Sequence, residues 1–396
     1  MFPYIISYMS KTYFIFSSHY LPNIGGIEKY TQNLADALLE MGNRVIVATM
    51  NTFDLPQNEL LEQNLEIIRL PCYKTLGGRY PVPRRNKAYR AELDRIRHLA
   101  VDYVVVNARF YLLSYIGVKL AKQKGIVPII IDHSSSHLTM GNSLIDFFVY
   151  SSEHLLTNNI KRFPAHYYAV SKASVEWLHH FNIQAHGVLN NAIDAKEFRA
   201  SSSNRDFRNE LGLGEESFIV CFVGRFIPEK GIKQLIESAK LLAGFPDIQF
   251  LFAGSGSLEG YLHKQHLPNV HILGRLDSSD IAALFLSANV NCLPSRSEGF
   301  ATTLLEAAAC GLVSVSTKIG GAEELIPTDE HGVFLDSQNN QEIADAILML
   351  YNNPTKRRII GENARLHVEK MFSWEKTAQA LEIACEKANN HEQAAR

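Results

Sequence analysis

Cysteine is scarce and scattered. Cys72, Cys221, Cys292, Cys310 and Cys385 form no C-x-x-C pair, which leaves no disulfide framework and no zinc ribbon and suits a reducing cytosol. Three of the five lie in apolar runs and read as small core residues. Charge of one sign is also missing. The net charge is −2, so no overall field draws nucleic acid. Long apolar runs are absent too: the longest apolar zone, 99–121, is broken by Asp102, Asn107, Arg109 and Lys119 and does not read as a transmembrane helix. The opening residues, MFPYIISYMSK, are too short and interrupted for a signal peptide. There are no low-complexity tracts and no short-period repeats. The expected setting is cytoplasmic, with a peripheral position on the inner face of the plasma membrane as the open alternative.

What is present is an ordinary globular composition, 46% hydrophobic and 20% charged over 396 residues, enough for two domains. Short apolar runs alternate with Gly-containing turns and amphipathic stretches. Residues 13–17, 44–49, 103–106, 127–131 and 167–170 read as strands, with helices over 28–41, 112–123 and 172–181. A second set has strands at 218–223, 249–253, 270–273, 290–293 and 313–316. Such alternation predicts an α/β chain of two doubly wound parallel-sheet, Rossmann-like domains facing a central cleft. The expected division is 1–198 and 199–372, with the polar stretch 199–217 as linker region and a last helix, 373–396, packing back on the first domain. Ligands of such sheets bind beyond the carboxyl ends of the strands.

The stretch Ser297 to Glu306, SEGFATTLLE, joins a buried strand to a helix start. Glu298 falls in the turn and Glu306 one helical turn beyond Thr302, so two offset carboxylates can accept from polyol hydroxyls. Two unrelated surface acids would have the same spacing. Arg225 and Lys230 flank a Pro turn after a buried strand and suit a diphosphate, the first as a planar fork and the second as a point charge; turns also carry such residues for no chemical reason. Gly25-Gly26 follow the first strand, where they either admit a ligand or only make a tight turn. His133 ends the strand at 127–131 and faces the expected cleft. Asp132, His133 and His137 are too few for a metal site, and His137 reads as a plain solvated residue.

Taken together, G-R-F-x-P-E-K-G (224–231), G-S-G-x-L-E (254–259), E-G-F-x5-E-A-x-x-C-G (298–311) and I-G-G-A-E-E-L-I (319–326) resemble the retaining GT-B glycosyltransferases of family 4. Y-L-P-N-I-G-G-I-E-K-Y (20–30), A-V-S-K (169–172) and N-N-A-I-D (190–194) are similar to it as well. The resemblance covers nearly the whole chain, and its second half carries the more specific motifs.

The resemblance implies a hexosyltransferase-type enzyme that uses a nucleotide-diphosphate sugar, UDP or alternatively GDP, and retains the anomeric configuration. The acceptor would be a glycan or a lipid-linked glycan in lipopolysaccharide, capsular or other surface polysaccharide synthesis. By that analogy Arg225 and Lys230 offset leaving-group charge and Glu306 accepts from the ribose. Glu298 and the backbone at Gly299, Phe300, Ala301 and Thr302 hold the sugar, with His133 at its far edge. Gly25, Gly26, Gly224 and Gly254 give room to the donor, and Arg275 and Leu276 line the base. No D-x-D triplet occurs, so no metal and no other cofactor are expected, the two cations standing in for the metal. Ala301, Ala192 and Val313 depart from the usual Gly, Gly and Pro without removing a charge. Residues 74–98 carry eight cations against Glu92 and Asp94, a pattern for an anionic membrane surface or merely a solvated basic stretch. Acceptor residues are expected near 73–90 and 134–145. A non-catalytic sugar-nucleotide-binding scaffold, or another GT-B enzyme such as a sugar-nucleotide epimerase, is the alternative.

Overall fold

The structure, a computed structural model, describes residues 10–23, 25–61, 64–137 and 143–395. Residues 1–9 of the N-terminal stretch and 138–142 of the 134–145 region lie outside the described residues. The chain divides into two compact units. The first comprises Met1–Val170, Ser174–Asn190 and Trp374–Arg396; the second comprises Ser171–Ala173 and Asn191–Ser373.

The first unit is built on an eight-stranded sheet. Its order is Gly187–Val188, His166–Ala169, Ile129–Asp132, Tyr103–Asn107, Thr12–Ser17, Arg44–Met50, Leu65–Leu70 and Asn58–Leu61. All neighbours are parallel except the last pair, where Asn58–Leu61 runs antiparallel at the edge. The central strands are near-continuous apolar runs rather than alternating ones, because both faces are covered. Phe14, Phe16, Ile46, Ile68, Val104 and Ile130 form its core. Helix Gly26–Glu40 buries Tyr30, Leu34 and Leu38, four residues apart on one face. Helix Trp374–Ala395 packs against it and buries Ala378, Leu381 and Cys385.

The second unit has a six-stranded, wholly parallel sheet in the order Val270–Gly274, Ile248–Ala253, Phe218–Val223, Val290–Leu293, Val313–Thr317 and Val333–Leu335. Cys221 and Cys292 are fully buried in it.

Two expectations need correction. The first unit gives way to the second after Asn190, ahead of residue 198. Residues 199–217 are not a linker: the segment carries helix Phe207–Glu210, and Phe207 is fully buried in the second unit's core, worth about 2–3 kcal/mol of apolar burial. Its polar residues are tied down locally, with Arg205 paired to Glu210 and Asp280.

Candidate functional site

In the second unit, Phe218–Val223 delivers the chain to the turn 224–231. Phe226 is fully buried and anchors that turn: its N–H donates to Ser255 O (2.9 Å) and its carbonyl accepts from Leu258 N–H (2.8 Å). With Phe226 pinned inward, the neighbouring Arg225 stays exposed. The short helix Pro228–Lys230 then brings Lys230 onto Glu298, and the two form an ion pair with each side chain 13% exposed. Ser295 Oγ donates to the same Glu298 oxygen at 3.1 Å.

Two glycines make these turns possible. Gly254 has φ 144°, and a Cβ there would fall 1.9 Å from Gly224 O. This holds the 224 and 254 turns side by side, while Gly254 N–H donates to Gly274 O (2.7 Å) and brings in the Gly274-Arg275-Leu276 turn. Gly320 has φ 44°, and a Cβ there would lie 2.2 Å from the Glu298 Cβ. Only glycine lets the 319–321 turn lie against Glu298.

Helix Thr302–Ala309 starts at Ala301, which has no side-chain acceptor to offer as a cap. The expected use of the Ala301 amide for a sugar needs correction, since Ala301 is buried and its N–H donates to Gly320 O at 2.8 Å. Thr302 N–H likewise points at Phe300 O (3.0 Å). Glu306 lies half-buried in that helix, one turn (about 5.4 Å) from Thr302. Gly299 O accepts from Ser171 Oγ at 2.8 Å within this unit. The second unit thus gathers Gly224, Arg225, Lys230, Gly254, Arg275, Leu276, Glu298, Gly299, Phe300, Ala301, Thr302 and Glu306 at the carboxyl ends of its strands and the turns after them.

Gly25, Gly26 and His133 belong to the first unit. Gly25 caps helix Gly26–Glu40 with extended backbone, and a Cβ on Gly26 would meet nothing within 4 Å. His133 follows strand Ile129–Asp132, with its Nε2 3.3 Å from Asn107 Oδ1. Tyr30 stands edge-on at 4.7 Å between centroids, and its hydroxyl donates to Leu189 O at 3.0 Å. Burial pushes the His133 imidazole down to about 3, so it is neutral near pH 7.

The neutral ring has a defined tautomer. Thr31 Oγ1 donates to Ile27 O (2.7 Å) and accepts from Asn107 Nδ2 (2.7 Å). That leaves Asn107 Oδ1 to accept from His133 Nε2–H, and His133 Nδ1 carries the lone pair. Asn107 and Thr31 were not among the sequence-derived site residues. The signal for Asn107 was available: it is the polar residue that ends the buried strand Tyr103–Asn107, the same position that singled out His133.

Asp132 is fully buried and pairs with Arg109, whose Nη2 also reaches Glu153 Oε1 at 2.6 Å. His137 is not a plain solvated residue: its Nδ1 lies 2.7 Å from Glu153 Oε2, and its ring stacks on Tyr150 at 4.3 Å. The basic stretch is partly neutralised, with Arg95 on Glu66 and Lys74 on Asp54 (2.7 Å), while Arg79, Arg84, Arg85, Lys87 and Arg90 stay exposed. Among the described residues no helix is long and apolar enough to cross a membrane.

Two family models match successive parts of the chain. Residues 24–197 match Glycosyltransferase Family 4, and residues 203–367 match Glycosyl transferases group 1. An uncharacterized glycosyltransferase of Methanocaldococcus jannaschii is 28% identical over 370 residues, covering 92% of this chain and 95% of that protein. A GDP-mannose-dependent monoacylated alpha-(1-6)-phosphatidylinositol monomannoside mannosyltransferase of Corynebacterium glutamicum is 26% identical, covering 94% of this chain and 97% of that protein. Among solved structures, Anabaena HepE in complex with UDP aligns with a TM-score of 0.72 at 21% identity, over 95% of this chain and all of that one. With its two Rossmann-like parallel-sheet units and both halves matched, the chain belongs to the GT-B glycosyltransferases of family 4.

Proposed function

We propose that this glycosyltransferase moves a hexose-type sugar from a nucleoside diphosphate sugar to a glycan or lipid-linked acceptor, with retention and without a metal at the diphosphate. The observation that carries the reading is the Lys230–Glu298 ion pair beyond the carboxyl ends of two inner strands of the second unit, with Arg225 exposed in the turn that leads to Lys230 and Glu306 in the helix that follows Glu298. Uridine is the preferred base and guanosine the alternative. HepE was solved with UDP, and the Corynebacterium relative is named for GDP-mannose.

Arg225 and Lys230 hold the diphosphate and offset the negative charge that builds as the anomeric carbon–oxygen bond breaks. Preorganised charge of this kind is usually the largest catalytic term. The acceptor hydroxyl attacks on the face the diphosphate leaves, and a phosphate oxygen takes its proton. Glu298 accepts from the sugar's hydroxyls and is not a nucleophile, in contrast with a two-carboxylate hydrolase. Glu306 accepts from the ribose. His133 presents the Nδ1 lone pair to a sugar hydroxyl, and Gly26 leaves room for the donor.

A lipid-linked acceptor agrees with the exposed cations of residues 79–90 and with the exposed Phe147 and Phe148 of helix Ser143–Ile160, each 64% accessible. These features suit the anionic cytoplasmic face of a membrane, where surface polysaccharide is assembled.

The test is calorimetric binding of UDP and GDP to the wild type, Glu306→Ala and Lys230→Ala, with and without EDTA. Micromolar binding of one nucleotide, weakened roughly tenfold or more by each substitution and unchanged by EDTA, is expected. Binding of neither nucleotide overturns the donor assignment, and loss with EDTA overturns the metal-free diphosphate.

A further inference from the structure

Three imidazoles far apart in sequence meet on the first unit. His137 follows strand Ile129–Asp132, His154 is on helix Ser143–Ile160, and His180 closely follows helix Lys172–His179. Their candidate donor nitrogens all lie within 4.8 Å of one another. The Nε2 atoms of His154 and His180 are 3.3 Å apart, and two nitrogens on one tetrahedral zinc ion, each about 2.0–2.1 Å from it, sit at about that separation. The ring centroids are spaced 5.5, 5.1 and 5.1 Å, so the three rings surround one point instead of stacking in a row.

The surroundings fix the rings. His137 Nδ1 is bonded to Glu153 Oε2 at 2.7 Å, which leaves the opposite nitrogen, Nε2, as its ligand atom. A carboxylate behind a histidine is the usual support for a metal-ligating imidazole, since it sets the tautomer and raises the basicity of the ligating nitrogen. Glu153 is only 4% exposed and is itself held by Arg109 at 2.6 Å. Trp177 lies flat against His180, 4.8 Å away and tilted by 5°. Two of the histidines are half-buried and His180 is exposed, which leaves a route for an ion from solvent.

We propose that His137, His154 and His180 bind one divalent first-row transition ion of the zinc class, with Glu153 as the positioning residue of His137. An all-imidazole donor set suits zinc, copper, nickel or cobalt and not magnesium or calcium, which take oxygen ligands. Three histidines fill three tetrahedral positions and leave one for water. The ion is a clasp: it ties the segment after His133 to helix Ser143–Ile160 and to the end of helix Lys172–His179. Its three ligands belong to the first unit and none of them is a residue assigned to the diphosphate, so it does not conflict with a metal-free donor.

The experiment uses full-length protein with any histidine tag removed, stripped with EDTA and dialysed. Zinc is titrated by calorimetry, and cobalt(II) by visible absorption, into the wild type, His154→Ala, His180→Ala, Glu153→Gln and the control His263→Ala in the second unit. Expected are one equivalent of zinc and a four-coordinate cobalt spectrum in the wild type and in His263→Ala. His154→Ala and His180→Ala should lose stoichiometric binding, and Glu153→Gln should weaken it roughly tenfold or more. His180 is exposed, so its variant should keep the wild-type circular dichroism and decides the matter if His154→Ala does not fold. Less than one equivalent in the wild type, or equal binding by His180→Ala, overturns the site. UDP and GDP titrations on the same samples report separately on the donor assignment.

Discussion

Lys230 and Glu298 are ion-paired with each other, and Glu298 also accepts from Ser295. A cation assigned to the diphosphate and an acid assigned to the sugar therefore neutralise one another. Lys230 must divide its three N–H donors between the acid and an incoming phosphate.

Removing the charge on Glu298 should separate the two roles. Glu298→Gln frees Lys230 for the phosphates, so UDP or GDP should bind as tightly as to the wild type or up to roughly tenfold tighter, while sugar transfer falls roughly tenfold to a hundredfold for the lost charged hydrogen bond. Calorimetry with the nucleotide and a transfer assay with its sugar check both halves. Parallel loss of nucleotide binding would mean instead that Glu298 serves to position Lys230.

His133 should make stability pH-dependent with a definite sign. Its folded pKa, about 3, lies below the ordinary histidine value near 6.5, so the unfolded chain binds more protons between these limits. The stabilisation is fully present above about pH 6.5 and is lost as pH falls toward 3. Urea unfolding of the wild type and of His133→Gln at pH 7.5 and 5 should show the wild type losing up to about 2 kcal/mol more than the variant. Equal losses would place the imidazole at an ordinary pKa.

Two glycine substitutions should part stability from activity. Gly320→Ala forces a Cβ onto Glu298 at positive φ and should cost roughly 1–3 kcal/mol, seen as a lower urea midpoint. A Cβ on Gly26 meets only open space, so Gly26→Ala should leave stability unchanged or raise it by up to about 1 kcal/mol. Transfer by Gly26→Ala should nonetheless drop at least roughly tenfold, the cost of misplacing reacting groups by about an ångström. Full activity would remove Gly26 from the donor's path.

The sheets were legible because their strands are apolar runs closed by a turn residue, Gly224 after Phe218–Val223 and Pro294 after Val290–Leu293. Helix Ser143–Ile160 escaped notice because Phe147, Phe148 and Leu155 face outward and blur its periodicity. The segment 199–217 looked like a linker because its anchors are one aromatic, Phe207, and ion pairs that close only in three dimensions. Type and spacing alone left Arg225, Lys230, Glu298 and Glu306 open to a bland reading; the motif residues of the second unit were singled out by their resemblance to family 4. The Asn107–His133 and Thr31–Asn107 contacts join strands and a helix distant in sequence. The histidine cluster likewise joins residues 17 and 26 positions apart, with no spacing to announce it.

Helix Trp374–Ala395 has a consequence for biosynthesis. Domains usually fold in the order they emerge from the ribosome. Here the first unit must wait for residues made after the whole second unit, because Tyr30 meets Trp374 edge-on at 5.3 Å and Leu381 is fully buried. A nascent chain halted at Ser373 can complete its second sheet while helix Gly26–Glu40 still exposes the apolar face that the last helix covers. The later-made unit is thus the first able to finish, and the earlier-made one depends on chaperones or on speed until the final helix arrives.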